Sequence, residues 1–75
     1  MDIRIGVTDN PREIALVLSD ETDRAELKAQ IASALAGEVG SLWLTDAKGK
    51  EVAIAAARLA YVELAGEGSN PIGFG

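Results

Sequence analysis

Apolar residues recur at every second position in the first segment of the chain. Between residues 2 and 8, isoleucine or valine alternates with polar residues or glycine, which is the period of a half-buried β-strand. Asp9-Asn10-Pro11 then supplies turn-forming residues. Residues 13–19 form a second run that is apolar on both of its faces. The pattern predicts two strands joined by a turn, with the second strand inside a sheet and not at its edge.

The period changes to that of a helix between residues 22 and 36. Four apolar residues at the spacing i, i+4, i+7 and i+8 form one helical stripe: Leu27, Ile31, Ala34 and Leu35. Three residues can cap the start of this helix: Ser19, Asp20 or Thr22. Gly37 can adopt the left-handed conformation that commonly ends a helix. The segment is therefore predicted to be a helix with marked ends.

The region after residue 40 contains a hairpin signal followed by an ambiguous stretch. Leu42 and Leu44 alternate with Trp43, and residues 45–50 form a tight hairpin loop in which Gly49 supplies a positive φ. Residues 51–64 are so rich in alanine that they fit either a helix or two strands. We favour two strands bent at residues 56–58, because the hairpin signal precedes them and the second contains tyrosine and valine.

These elements predict an α+β fold with a mainly antiparallel sheet of about five strands, in the order ββαβββ, and one helix packed on one face. We expect residues 1–66 to form a single domain and residues 67–75 to form a flexible C-terminal tail, because this last segment contains glycine and proline. We assign one face of the sheet to the side that the helix covers. Its members are Ile3, Ile5, Val7, Ile14, Leu16, Leu18, Leu42, Leu44, Val52 and Ile54.

Composition and charge exclude several classes of function. The chain of 75 residues has neither cysteine nor histidine, which removes disulfides, thiolate nucleophiles, Ser-His and Cys-His triads, and metal sites built on sulfur or imidazole. A net charge of −5 repels nucleic acids. No apolar run reaches the length of a membrane span, so we expect a cytoplasmic protein. The acidic cluster at residues 20–23 lacks calcium-loop spacing and suits helix capping, so we expect no metal or cofactor.

Four segments, DIRIGVTDNPREI, LTDAKGKEVAI, RLAYVEL and the terminal IGFG, together span nearly the whole chain. They resemble a small family of uncharacterised actinobacterial proteins known as a domain of unknown function. The resemblance implies an actinobacterial cytoplasmic protein and favours strands over helix in residues 51–64. Some relatives carry an ATP-binding label, which implies a nucleotide site.

The residues that a nucleotide site would need are incomplete. A phosphate-binding loop requires Ser or Thr after Gly49-Lys50, where Glu51 stands. A dinucleotide fingerprint that starts at Gly66 and Gly68 would need glycine where Pro71 stands. As an alternative function we therefore keep a small-ligand or ATP-binding protein without a Walker A motif. Its ligand-binding residues would be Arg4, Arg12, Arg58, Gly66 and Gly68.

A second apolar face on the sheet carries the leading functional hypothesis. One helix covers one side of a sheet, and the opposite side collects small and aromatic residues: Ala15, Val17, Trp43, Ala53, Ala55 and Tyr61. Such a surface is typical of a protein interface. We therefore expect a non-enzymatic module that homo-oligomerises or binds a protein partner, with no nucleic acid or membrane partner. Its interface residues are Val17, Trp43, Ala53, Tyr61 and Phe74.

Two alternatives to this interface stay open. The sheet can instead curl into a partial barrel, so that both of its faces turn inward. The tail can fold back over its own domain, so that Phe74 fills a gap there instead of anchoring a partner.

Overall fold

The computed structural model describes residues 1–65 of the chain. Its elements are β1 (Asp2–Val7), β2 (Ile14–Val17), α1 (Arg24–Leu35), β3 (Ser41–Thr45), β4 (Glu51–Ala55), a 3-10 turn (Ala56–Arg58) and β5 (Leu59–Leu64). This arrangement confirms the predicted α+β fold and the order ββαβββ. It also confirms two strands bent at residues 56–58. The predicted tail at residues 67–75, with Phe74, and the ligand candidates Gly66 and Gly68 lie outside the described residues.

The five strands form two antiparallel sheets instead of one. The first has the order β2-β1-β5, and the second contains β3 and β4. The loop between β3 and β4 is linked to the end of β2 by a hydrogen bond of 2.8 Å from the Ala47 N–H to the Val17 carbonyl. The prediction that β2 lies inside a sheet is wrong, because β2 is an edge strand of its three-stranded sheet. Its outward residues Ala15 and Val17 are exposed, so apolarity on both faces did not reflect burial on both faces.

The core lies between the inward faces of the two sheets and one side of α1. Its buried members are Ile3, Ile5, Leu16, Leu18, Leu27, Ile31, Ala34, Leu42, Leu44 and Ile54. Val7, Ile14 and Val52 are half-buried against this cluster, which confirms the predicted covered side. The prediction that Leu35 belongs to the apolar stripe of the helix is wrong in one respect, because Leu35 is 48% exposed. At about 100° per residue, Leu35 lies about 80° around the helix from Leu27, so it is at the edge of the stripe that faces the core.

The N-cap of α1 is none of the three predicted candidates, Ser19, Asp20 and Thr22, but a later residue of the same acidic cluster. Asp23 is the N-cap, and its Oδ1 accepts a hydrogen bond of 3.1 Å from the Glu26 N–H. Ser19 instead accepts from the Glu21 N–H at 3.1 Å, and Asp20 lies 3.5 Å from the chain's amino terminus. The acidic cluster therefore does cap the helix, but through its last member.

The two predicted glycine positions are confirmed. Gly37 has φ +78° and Gly49 has φ +89°. The Gly37 N–H donates to the Ala34 carbonyl, and the next N–H donates to the Ser33 carbonyl, which is the Schellman pattern at a helix end. Among residues 1–65, α1 has 12 residues and is too short to cross a membrane.

Candidate functional site

Trp43 is the most exposed large apolar residue among residues 1–65. It lies at the centre of β3 between Leu42 and Leu44, both of which are buried. Because side chains alternate along a strand, burial of these two neighbours directs the indole outward, and Trp43 is 63% exposed. Its cross-strand partner on β4 is Ala53, whose methyl group is too small to cover the ring. The strand therefore presents a large aromatic side chain to solvent from a defined position.

Trp43 borders two surface cavities, and both of them also contact α1. One, of about 290 Å³, is lined by Gln30, Ser33, Val39, Ser41, Leu42 and Trp43. Within it, Val39 is itself 45% exposed. The other, of about 330 Å³, is lined by Asp23 and Glu26 as well as by Trp43. We call Trp43, Val39, Asp23 and Glu26 the Trp43 surface: an apolar centre with an acidic border.

Tyr61 has a different environment in the other sheet. Its ring lies over Gly6 on the neighbouring strand, where a Cβ atom would be 2.2 Å from the ring Cε2. The phenol hydroxyl donates a hydrogen bond to the Glu13 carboxylate, across the width of β1. The residue is still 42% exposed. Gly6 is therefore needed for close approach of the ring, which is a recognised reason for glycine within a strand.

The surroundings of Tyr61 favour the protonated form of its hydroxyl. The hydrogen bond to Glu13 is the largest influence that raises the pKa of Tyr61, followed by desolvation and by the negative charges of Glu13 and Glu63. The positive charge of Arg4 acts in the opposite direction. The phenol is thus a hydrogen-bond donor that holds β5 to the start of β2, instead of a group prepared to lose its proton.

The structure divides the predicted interface residues between the two sheets. Four of them are exposed on outward faces: Val17, Trp43, Ala53 and Tyr61. The alternative in which the sheet curls so that both of its faces turn inward is therefore wrong. Trp43 and Ala53 are direct neighbours in the β3–β4 sheet. Tyr61 belongs to the β2-β1-β5 sheet, and Val17 lies at the junction with the β3–β4 loop. Phe74 lies outside the described residues.

The three arginines of the alternative ligand site occupy different places. Arg4 is opposite Glu63 in the strand register, and the two residues line a cavity of about 440 Å³ with Asp2. Those two carboxylates oppose binding of a phosphate there. Arg12 lies in the β1–β2 loop, and Arg58 lies in the 3-10 turn at the other end of β5 from Glu63.

Two apolar residues near the end of α1 are exposed although the sequence did not predict it: Val39 was not considered, and Leu35 was assigned to the helical stripe. Val39 lies in the loop between α1 and β3, and Leu35 lies in the last helical turn. Val39 had a usable signal, because it is an apolar residue in a glycine-flanked loop and belongs to no periodic element. The position of Tyr61 over Gly6 also had a signal, since a lone glycine within a strand pattern indicates close approach.

Comparison with known proteins gives a family without an assigned activity. The family model described as a protein of unknown function (DUF3107) matches residues 1–75. No curated protein matches the chain significantly. The resemblance to a domain of unknown function is confirmed over the full length given, and the chain belongs to the DUF3107 family.

Proposed function

We propose that the chain is a non-enzymatic module that docks to another protein through the Trp43 surface. The observation that supports this most is a tryptophan left 63% exposed at the centre of a strand whose adjacent residues are buried. Tryptophan is enriched among the few residues that dominate binding energy in protein interfaces.

Covering this side chain can supply a substantial part of a binding free energy. Aromatic side chains bury about 150–250 Å² when they are fully covered. With 63% of the residue exposed, docking can cover roughly 120 Å² more, and at ~25 cal/mol per Å² this contributes about 3 kcal/mol. That energy corresponds to roughly a hundredfold change in Kd.

The acidic border indicates the chemistry of the partner. Asp23 and Glu26 line the same cavity as Trp43, and the chain carries a net charge of −5. A partner segment with lysine or arginine around one large apolar anchor would complement this arrangement. A second copy of the chain fits less well, because a twofold interface would bring the same carboxylates together. We therefore propose a basic polypeptide as the partner.

Selection of random peptides displayed on phage tests the proposal directly. Wild-type protein is the only bait, and the affinities of the enriched peptides for the wild type and for the Trp43→Ala variant are measured after the selection. Val17→Ala is the matched control, because Val17 is 57% exposed but lies on the other sheet. We expect enriched peptides to be basic with a large apolar residue, to bind Trp43→Ala about a hundredfold more weakly, and to bind Val17→Ala unchanged.

Two results would reject the proposal. Enriched peptides that bind the wild type and Trp43→Ala with equal affinity would show that the Trp43 surface is not the binding site. Enrichment of acidic peptides would show that the partner is not basic. Sedimentation equilibrium at high micromolar concentration supplies the third arm. A wild-type dimer that Trp43→Ala abolishes would show that the partner is a second copy of the chain and not a basic polypeptide.

A further inference from the structure

A groove on the other side of α1 is apolar along its floor and cationic at one end. It is lined by Arg24, Lys28, Ile31, Ala32, Leu35, Val62 and Leu64, with a volume of about 380 Å³. Arg24 and Lys28 lie in the first half of the helix, and the exposed Leu35 lies in its last turn. We call these seven residues the α1–β5 groove. It is separate from the Trp43 surface, which borders the opposite side of the helix through Glu26.

The chain leaves the described structure at the cationic end of this groove. The Arg24 Nη1 donates a hydrogen bond of 2.9 Å to the Ala65 carbonyl. Residues 66–75 follow, with the sequence GEGSNPIGFG. They contain one acidic residue, Glu67, two positions after Ala65, and two large apolar residues, Ile72 and Phe74. The order along the segment, acidic and then apolar, matches the order along the groove.

We propose that residues 66–75 dock in the α1–β5 groove of the same chain, with Glu67 beside Arg24 and Lys28 and with Phe74 against Leu35. The distances allow it. A helix of 12 residues is about 18 Å long at 1.5 Å per residue. The nine residues from Ala65 to Phe74 can span up to ~30 Å. The segment therefore reaches the far end of the groove with slack.

Attachment at Ala65 favours the chain's own segment over a free ligand. A short tether raises the effective concentration of the second contact to the millimolar range, without any additional affinity. The opposite charges at the tethered end also orient the segment, so that its apolar residues point toward the apolar half of the groove. Docking would cover Leu35 and leave the Trp43 surface unchanged, so this inference does not depend on the proposed function.

Disulfide trapping tests the docking, and the absence of natural cysteine makes the experiment clean. The test variant carries Ala32→Cys and Gly75→Cys, and the control carries Gln30→Cys and Gly75→Cys. Ala32 and Gln30 are both exposed residues of α1, but Ala32 lines the groove whereas Gln30 lines the cavities beside Trp43. At low protein concentration we expect the intramolecular disulfide to form about tenfold faster in the Ala32 variant. Adding Phe74→Ser should remove that difference, whereas Ser69→Ala should leave it unchanged.

Three outcomes would overturn the inference. Equal rates in the Ala32 and Gln30 variants would show that the segment does not prefer the groove. An unchanged difference after Phe74→Ser would show that the proposed anchor is wrong. Disulfide-linked dimers in place of monomers would show that the segment occupies the groove of a second copy.

Discussion

Replacing Gly6 by alanine sets a methyl group against the ring of Tyr61. The new Cβ would lie 2.2 Å from Cε2 and 2.4 Å from Cζ of that ring, distances that real structures do not show. Tyr61 is 42% exposed, so the ring can swing outward into solvent. Movement of the ring would break its hydrogen bond to Glu13 and withdraw it from β1.

The free-energy change follows from what Tyr61 loses. About 100 Å² of the side chain is covered, and withdrawing half of it costs ~1 kcal/mol at 25 cal/mol per Å². Loss of the hydrogen bond to Glu13 adds a smaller cost, because water can replace the partner at this exposed position. Alanine in place of glycine raises the free energy of unfolding by roughly 0.5–1 kcal/mol, because it restricts the unfolded chain. Gly6→Ala should therefore lower the free energy of unfolding by up to about 1 kcal/mol.

A double-mutant cycle separates the ring from the backbone. In a Tyr61→Ala background the steric conflict is absent, so Gly6→Ala should raise the free energy of unfolding by about 0.5–1 kcal/mol. Urea denaturation followed by circular dichroism measures all four proteins. The sign of the Gly6→Ala effect should reverse between the two backgrounds. If the substitution destabilises both backgrounds equally, strain in β1 itself is responsible and our account of Tyr61 is wrong.

Three further predictions concern the helix end, the phenol and the alternative ligand. Gly37→Ala should destabilise the fold by about 1 kcal/mol, because the φ of Gly37 is +78°. Gly40→Ala is the control and should change the melting temperature little, because its Cβ would meet no described atom within 4 Å. Equal shifts of the melting temperature in the two variants would contradict the capping role of Gly37. The raised pKa of Tyr61 means that the protonated phenol stabilises the fold fully below its ordinary pKa of 10.0, and that this contribution is lost as pH rises through the higher folded value. In ultraviolet titration this single tyrosine should therefore ionise at higher pH in the folded protein than in urea. Glu13→Gln should reduce the difference between the two ionisation midpoints. Identical curves for the folded and the urea-unfolded wild type would refute the raised pKa. Millimolar ATP with Mg²⁺ should leave the melting temperature unchanged, and an increase would favour the nucleotide alternative.

Local patterns in the sequence predicted the elements well. The alternation in β1, Gly37 at the helix end and Gly49 in the β3–β4 loop each depend on neighbouring residues alone. They are therefore visible without tertiary information. The same holds for the face on which each strand residue lies, since Leu42 and Leu44 are buried and Trp43 is exposed.

Strand pairing and the grouping of exposed residues were not predictable in the same way. A period of two gives the face of a residue but not its neighbouring strand, so the sequence placed Trp43 and Tyr61 together although they belong to separate sheets. The exposure of Leu35 depends on where α1 meets β5, which is a tertiary property. The acidic border of the Trp43 surface likewise arises from the packing of α1 beside β3.

Acrylamide quenching of Trp43 fluorescence tests the central claim most directly, because Trp43 is the chain's one tryptophan. In the free protein we expect efficient quenching, as for a largely exposed indole, that does not change with protein concentration. Saturation with a basic peptide selected on the wild-type protein should reduce the quenching constant severalfold, as the partner covers the ring. A peptide that binds at saturation and leaves the quenching of Trp43 unchanged would contradict the proposal that this residue anchors the partner.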